Sequence, residues 1–201
     1  MGEFDYIIVG TGFAGSLFLK KRLEKERRQA KFLVLERGAR MTHAEQIAAR
    51  RSSSIPVSST FKRTGDLGKN WNFSLGFGGG SNCWWAGTPR FHPNDFRLKS
   101  VYGVGRDWPL QYDDLVPYYE QAERIMNIAG TPGGAFGDGV RYPQRPHRHT
   151  DPEKALKNAY PDQFFNQPTA RARESGAGRN VCCANSVCHL CPIDAKFTVQ
   201  N

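Results

Sequence analysis

An α/β fold is predicted by three observations. Phe4 to Val9 (FDYIIV) is a short apolar run rich in Ile and Val, the pattern of a buried parallel strand. Gly10-Thr11-Gly12-Phe13-Ala14-Gly15 follows at once and opens a helical stretch. A second apolar run, Lys31 to Leu35 (KFLVL), closes on Glu36-Arg37-Gly38. Strand, helix and strand in this order make one parallel crossover unit of Rossmann-like type.

The helix of this unit is expected over about Ala14 to Arg28, with Leu17, Leu19 and Leu23 among its apolar positions. The pattern then weakens. A helix is expected near His43 to Arg51, and the Ser-rich stretch Ser52 to Thr60 reads as loop. Leu75 to Gly87 is rich in glycine and aromatic residues. Tyr112 to Ile128 (YDDLVPYYEQAERIMNI) reads as a helix, with Asp113 or Asp114 as N-cap, Pro117 in about the first turn and Gly130 as C-cap. Residues 130–180 show weak periodicity and read as irregular segments.

Composition narrows the classes. The chain has 201 residues, 39% hydrophobic and 23% charged, which excludes a disordered or fibrous chain. No apolar run is long enough to span a bilayer, and the acidic N-terminus lacks the features of a signal peptide. Location is therefore cytoplasmic by default, or exported or membrane-associated only through a partner subunit. Lys and Arg number 28 against 19 acids, a net charge of +9. The basic residues cluster at Lys20 to Arg22, Lys25 to Arg28 and Arg145 to His149, the first two interleaved with Glu24 and Glu26. No nucleic-acid module accompanies them, so a solvated helix face is the better reading and nucleic acid is not an expected partner.

The turn at Gly10-x-Gly12-x-x-Gly15 has the context of a dinucleotide-binding motif. It follows a strand, opens a helix and has an acid, Glu36, about 20 residues on. Gly10 permits the tight turn, Gly12 lets the backbone approach a pyrophosphate, and Gly15 lets helix and strand pack closely. The N–H groups of the helix start suit phosphate. Glu36 would accept from ribose hydroxyls and argues against a 2′-phosphate, for which Arg37 leaves some room. The motif does not separate FAD from NAD. A second cluster, Gly76-Phe77-Gly78-Gly79-Gly80-Ser81-Asn82-Cys83-Trp84-Trp85-Ala86-Gly87-Thr88-Pro89-Arg90, again exposes backbone N–H groups beside two tryptophans. It reads equally as a ligand site or a packed aromatic loop.

Of five cysteines, Cys83 stands alone, and Cys182, Cys183, Cys188 and Cys191 fall within ten residues. Four thiolates so close would repel without a cation, and Cys188-x-x-Cys191-Pro192 suits iron–sulfur or zinc ligation; a disulfide and inert thiols are the alternatives. Asn185 and Ser186 favour a turn that returns the Cys182-Cys183 pair toward Cys188. His92, His147, His149 and His189 have no partner readable from the sequence; His147 and His149 are expected in solvent, and His189 is a spacer between ligands.

These blocks resemble the glucose–methanol–choline (GMC) flavin oxidoreductases. The first turn with Leu35-Glu36-Arg37-Gly38 is similar to their FAD-binding N-terminus, and Gly78 through Arg90 to their flavin-contacting signature. Asp107-Trp108-Pro109, Tyr112-Asp113-Asp114-Leu115, Pro117-Tyr118-Tyr119 and Ala122-Glu123 match a further block. The resemblance implies an incomplete Rossmann-like FAD-binding domain over 1–130, with a flavin-contacting loop at 76–90. It implies a substrate-domain or lid segment of α+β character over 131–180, and a cysteine cluster over 181–201 leading into further chain. Gly10, Gly12, Phe13, Ala14, Gly15, Glu36, Arg37, Gly79, Gly80, Ser81, Trp84, Trp85 and Ala86 are the implied FAD contacts.

The implied reaction is oxidation of an alcohol, sugar or polyol CH–OH group, with hydride passing to the flavin. The catalytic His is expected beyond residue 201, so that the chain is a fragment of about two-fifths of a protein and inactive alone. Trp84 stands where many members have Asn, and Cys83 where some attach FAD through His, so FAD is expected to be non-covalent. The cysteines resemble those of the catalytic subunits of bacterial FAD-dependent glucose dehydrogenases. That likeness implies a 3Fe–4S or 4Fe–4S cluster on Cys182, Cys183 and Cys188, with Cys191 one residue out of register, relaying electrons to a cytochrome or other acceptor subunit. The alternatives are an oxidase of the same family without a cluster, and a non-catalytic flavin- or metal-binding fragment.

Overall fold

The computed structural model describes residues 3–26, 30–62, 64–65, 68, 73–133 and 139–201. The protein is a mixed α/β chain with a two-stranded parallel sheet. Strand β1 (Tyr6–Val9) pairs in parallel with β2 (Phe32–Leu35), Ile7 opposite Leu33 and Val9 opposite Leu35. Helix α1 (Phe13–Lys25) makes the crossover. Both strands are shorter than the apolar runs that predict them, and at the sheet end the Lys31 carbonyl accepts from the amides of both Asp5 and Tyr6. The expected end of α1 at Arg27 and Arg28 lies outside the described residues.

The chain divides into two compact units, 1–85 with 183–201, and 86–182. This division falls inside the loop 76–90 and between Cys182 and Cys183.

In the first unit, the charged face of α1 is a solvated one. Lys20 pairs with Glu24 at 2.9 Å, and Arg22 pairs with Glu26, which also accepts from the Tyr6 hydroxyl at 2.7 Å. Such exposed pairs contribute little each. Helix α2 (His43–Ala48) is shorter than predicted and starts on a capping box, with Thr42 accepting from the Glu45 amide and Glu45 accepting from Thr42. The Ser-rich stretch that follows holds one 3₁₀ turn, Val57–Ser59.

The second unit holds α3 (Leu98–Tyr102), α4 (Tyr112–Met126) and α5 (Asp151–Ala159). Three corrections to the predicted α4 are local. Its N-cap is Gln111, because the Asp114 carboxylate reaches back to the Gln111 amide at 2.8 Å. Pro117 therefore lies inside the helix rather than in its first turn. The C-cap is Asn127, whose φ of 51° takes the left-handed role expected of Gly130. Gly130 is needed for a different reason: a Cβ there would stand 2.5 Å from the Tyr142 ring. Helix α5 lies in a region that read as irregular. Its signal, Thr150-x-x-Glu153 with Pro152 at the helix start, is a capping box legible in the sequence.

The core of this unit surrounds a buried ion pair. Arg90 Nε and Nη2 each donate to Glu123 at 2.7 Å, and Nη1 donates to the Tyr112 hydroxyl at 3.2 Å. The guanidinium lies over the Tyr119 ring. The Glu123 hydrogen bonds hold Arg90 even further above its usual range. Removing one partner of such a pair costs about 3–5 kcal/mol, since the other charge is left buried alone. Arg179, also buried, donates to the Ala170 and Met126 carbonyls and closes the end of α4.

Candidate functional site

The glycine turn is built by three glycines with three different reasons. Gly10 has φ of +89°, a conformation side chains rarely adopt. At Gly15 a Cβ would stand 2.3 Å from the Gly10 carbonyl oxygen and 3.2 Å from Ile8, so only glycine lets α1 start this close to β1. Gly12 has neither constraint. Its φ is −71°, and nothing lies within 4 Å of where its Cβ would be. The backbone beside Gly12 faces open space. Helix α1 begins there with no side-chain cap and no acid in its first turn, so its leading N–H groups can meet an anion.

Thr11, a variable position of the motif, fastens this turn to the rest of the unit. Its amide and hydroxyl donate to Glu36 Oε2 at 2.9 and 2.6 Å. The hydroxyl accepts from the Gly78 amide at 3.0 Å. Glu36 Oε1 accepts from the Gly38 amide at 3.1 Å. Burial pushes the Glu36 carboxyl up, but the Thr11 hydroxyl and the amides of Gly38, Thr11 and Arg37 outweigh it and hold the group below the usual carboxylate range. Glu36 is thus a brace of the turn. Arg37 is exposed beside it.

The second glycine cluster abuts the first. Gly76, Gly78 and Gly79 all have positive φ, and residues Gly79–Asn82 form a 3₁₀ turn. A Cβ on Gly79 would stand 3.3 Å from the Gly12 Cα, and one on Gly80 would meet nothing within 4 Å. Ser81 is buried, its hydroxyl donating to the Gly78 carbonyl and accepting from the Val199 amide. The Trp84 ring meets Phe13 edge-on at 4.6 Å, and Phe13 stacks on Phe197 at 6.1 Å. The structure therefore brings Gly10, Gly12, Phe13, Gly15, Glu36, Gly79, Gly80, Ser81 and Trp84 into one network. Ala14 is exposed on α1, and Trp85 is 58% exposed. Ala86 belongs to the second unit, where it is fully covered and its carbonyl accepts from the Ala170 amide and the Thr169 hydroxyl.

Lys196 was missed in the sequence. It is 3% exposed, and its ammonium donates to the carbonyls of Asn82, Trp84 and His189 at 2.8, 3.0 and 3.3 Å. Burial pushes it down to about 8, against the attraction of Cys83, Cys191, Cys188 and Asp194. Near it lies a polar pocket of about 140 Å³ lined in part by Arg40, His43, Cys191 and Asp194. His43 Nε2 donates to the Cys191 carbonyl at 2.7 Å. Neither residue carries a motif; only a polar side chain amid apolar and glycine-rich neighbours marks Lys196.

The cysteines are differently disposed. All five are free. Cys188 is buried, Cys182 and Cys191 half-buried, and Cys183 exposed. Cys182 uses its amide on Ala172, and Cys191 Sγ accepts from the Ala195 amide. The expected turn is present, with Ala184 and Ser186 at positive φ and Asn185 accepting from the Val187 amide. Yet among the described residues no three His, Cys, Asp or Glu side chains converge as a metal requires. His147, expected in solvent, is half-buried: Nε2 donates to the Arg171 carbonyl, and burial lowers its pKa. His189 lies beside Trp85.

Comparison with known proteins places the chain among relatives of one chemical class. It is 37% identical over 135 residues to the fructose dehydrogenase large subunit of Gluconobacter japonicus, covering 61% of this chain and 24% of that protein. It is 29% identical to 6'''-hydroxyparomomycin C oxidase of Streptomyces lividus, over 98% of this chain and 37% of that protein. It is 27% identical to paromamine 6'-oxidase of Streptomyces fradiae, over 96% and 36%. The chain thus spans about a quarter to two-fifths of the length of these curated relatives. By name they are oxidoreductases, a dehydrogenase subunit and two oxidases. No family model matches the chain. No described helix is long and apolar enough to cross a membrane.

Proposed function

We propose that this chain is the flavin-binding part of a GMC-type oxidoreductase that oxidises a CH–OH group of a sugar, polyol or related alcohol. One observation carries the reading: two glycine loops are locked together through Thr11, leaving open backbone at Gly12 and Gly80 beside the uncapped start of α1. These residues fit FAD. The backbone at Gly12 and the first amides of α1 would hold the pyrophosphate, and Glu36 stands at the position where the motif meets the ribose. Trp84 and Phe13 would wall the cofactor. Bound FAD supplies the hydride acceptor; the chain supplies position and charge. Cys83, at the place where some members attach the flavin, has its thiol pushed up by burial against the pull of Lys196, which suits non-covalent binding.

The names of the relatives support the substrate class, and "large subunit" in one of them supports a partner subunit as electron acceptor. An iron–sulfur cluster on Cys182, Cys183, Cys188 and Cys191 is the reading of the thiol-rich segment. Metal and segment would organise each other, as in small metal-bound folds. The oxidase names of two relatives favour a second reading, the same flavin chemistry with oxygen as acceptor and no cluster.

The test is titration of the 201-residue chain with FAD, followed by its flavin fluorescence and visible spectrum. Saturable binding is expected, with the yellow cofactor released into the supernatant on acid precipitation. Absence of binding would remove the proposal, and colour retained in the pellet would remove its non-covalent part.

A further inference from the structure

We propose that Lys196 is a positioning residue that, with Phe197, clamps Trp84 at two points beside the glycine turn; its consequence for cofactor binding rests on the flavin reading above. The first point is the backbone. The Lys196 ammonium donates to the Trp84 carbonyl at 3.0 Å and to the Asn82 carbonyl at 2.8 Å. The second point is the ring. Trp84 Nε1 donates to the carbonyl of the next residue, Phe197, at 2.8 Å. A bond at Nε1 alone leaves the ring free to swing with its backbone; a pinned carbonyl removes that freedom.

The ammonium is suited to this task by its valence. It has three donors and meets three backbone carbonyls, the third that of His189. Among the described residues no carboxylate lies within ion-pair distance of it, so it is not one half of a salt bridge. A buried cation costs free energy unless hydrogen bonds compensate it. Here all three go to loops, and two go to the loop that presents Trp84. The clamp then reaches the glycine turn directly. Phe13, the first residue of α1, packs on both Trp84 and Phe197. Neighbouring bonds run the same way, from the Val199 amide to Ser81 and from Gln200 to the Phe77 carbonyl. Residues 196–200 thus form a splint along the second glycine loop.

The two clamp points act on one ring, so their loss is not independent. Lys196→Met keeps the stem and removes the donors; Trp84→Phe keeps a ring and removes Nε1. Each is expected to weaken FAD binding about tenfold, since a Trp84 released at either point must be ordered again when the cofactor binds. The double variant is expected to bind little more weakly than either single one. Lys196→Arg does not restore binding, because a planar fork cannot serve three converging carbonyls. Near-ultraviolet circular dichroism of Lys196→Met without cofactor reads the Trp84 ring itself and is expected to lose intensity, so the clamp is read even if FAD does not bind. Additive effects on FAD affinity would overturn the clamp, as would wild-type affinity and dichroism in Lys196→Met. Loss of FAD binding in the unaltered chain would overturn the flavin reading alone. Should Lys196→Met fail to fold, Lys196→Gln takes its place in the same cycle.

Discussion

The glycine turn at residues 10–15 and the cysteine-rich segment at 182–191 are equally conspicuous in the sequence, yet their shapes are held in different ways. The turn is determined by bonds within the protein. A positive φ at Gly10, a 2.3 Å clash that any Cβ at Gly15 would make, and three hydrogen bonds at Thr11 fix it without a ligand. The cysteine segment bends at Ala184 and Ser186, both at positive φ, with Asn185 accepting from the Val187 amide, and Cys191 Sγ accepts from the Ala195 amide. A turn made of backbone shape is fixed by the chain; thiolates gathered in one place repel unless a cation joins them, so metal uptake is the test of this segment.

The contrast can be broken most decisively at the cysteines. Anaerobic reconstitution with iron and sulfide is expected to change the segment from metal-free to metal-bound, an all-or-none effect. The absorption spectrum gains a broad visible shoulder, and electron paramagnetic resonance gains a cluster signal. Cys188→Ser is expected to abolish both, while FAD binding is unchanged. Zinc uptake with no iron uptake would replace the cluster by a structural zinc site.

Next come the glycines, which separate folding from binding. Gly15→Ala is expected to destabilise the first unit by about 1–3 kcal/mol, the range for overpacking a tight contact. Gly12→Ala is expected to leave the melting temperature unchanged, since φ is ordinary and the Cβ position is open, yet to weaken FAD binding about tenfold or more by filling the approach to the pyrophosphate. Chemical denaturation with parallel flavin titration distinguishes the two. Equal losses of stability and affinity in both variants would make Gly12 a packing residue.

The smallest effect is one of pH. The Glu36 carboxyl is held below its usual value in the folded chain, so the ionised form favours folding. Its contribution is present above about pH 4.3, the ordinary value for Glu, and is lost as pH falls through the depressed folded value. Glu36→Gln is expected to lower stability in the neutral region and leave the acid end nearly unchanged, so that the acid limb of the melting curve flattens. An unaltered acid limb would mean that Thr11 does not depend on the charge of Glu36.

Much of the first unit was legible because its signals are local. FDYIIV, KFLVL and the glycines each name a conformation, and the parallel pairing of β1 with β2 follows from them. Terminal residues of α4 were misassigned because two chemistries compete for each cap: Gln111 won through Asp114, and Asn127 took the left-handed position three residues before Gly130. Helix α5 went unread although Thr150 and Glu153 announce it, since its apolar face is sparse. Thr11 and Lys196 were illegible for a different reason. Their partners, Gly78 and the carbonyls of Asn82, Trp84 and His189, are distant in sequence, and backbone carbonyls leave no mark in a sequence at all.

Strand β1 turns Ile7 and Val9 outward at 63% and 81% exposure, on a chain whose net charge is +9. Two forces of opposite range therefore govern encounters between copies. Charge repels over about 10 Å at 0.1 M salt and fades as salt is added, while the apolar strand attracts only at contact. Dilute buffer keeps the molecules apart; concentrated salt lets the strand dominate.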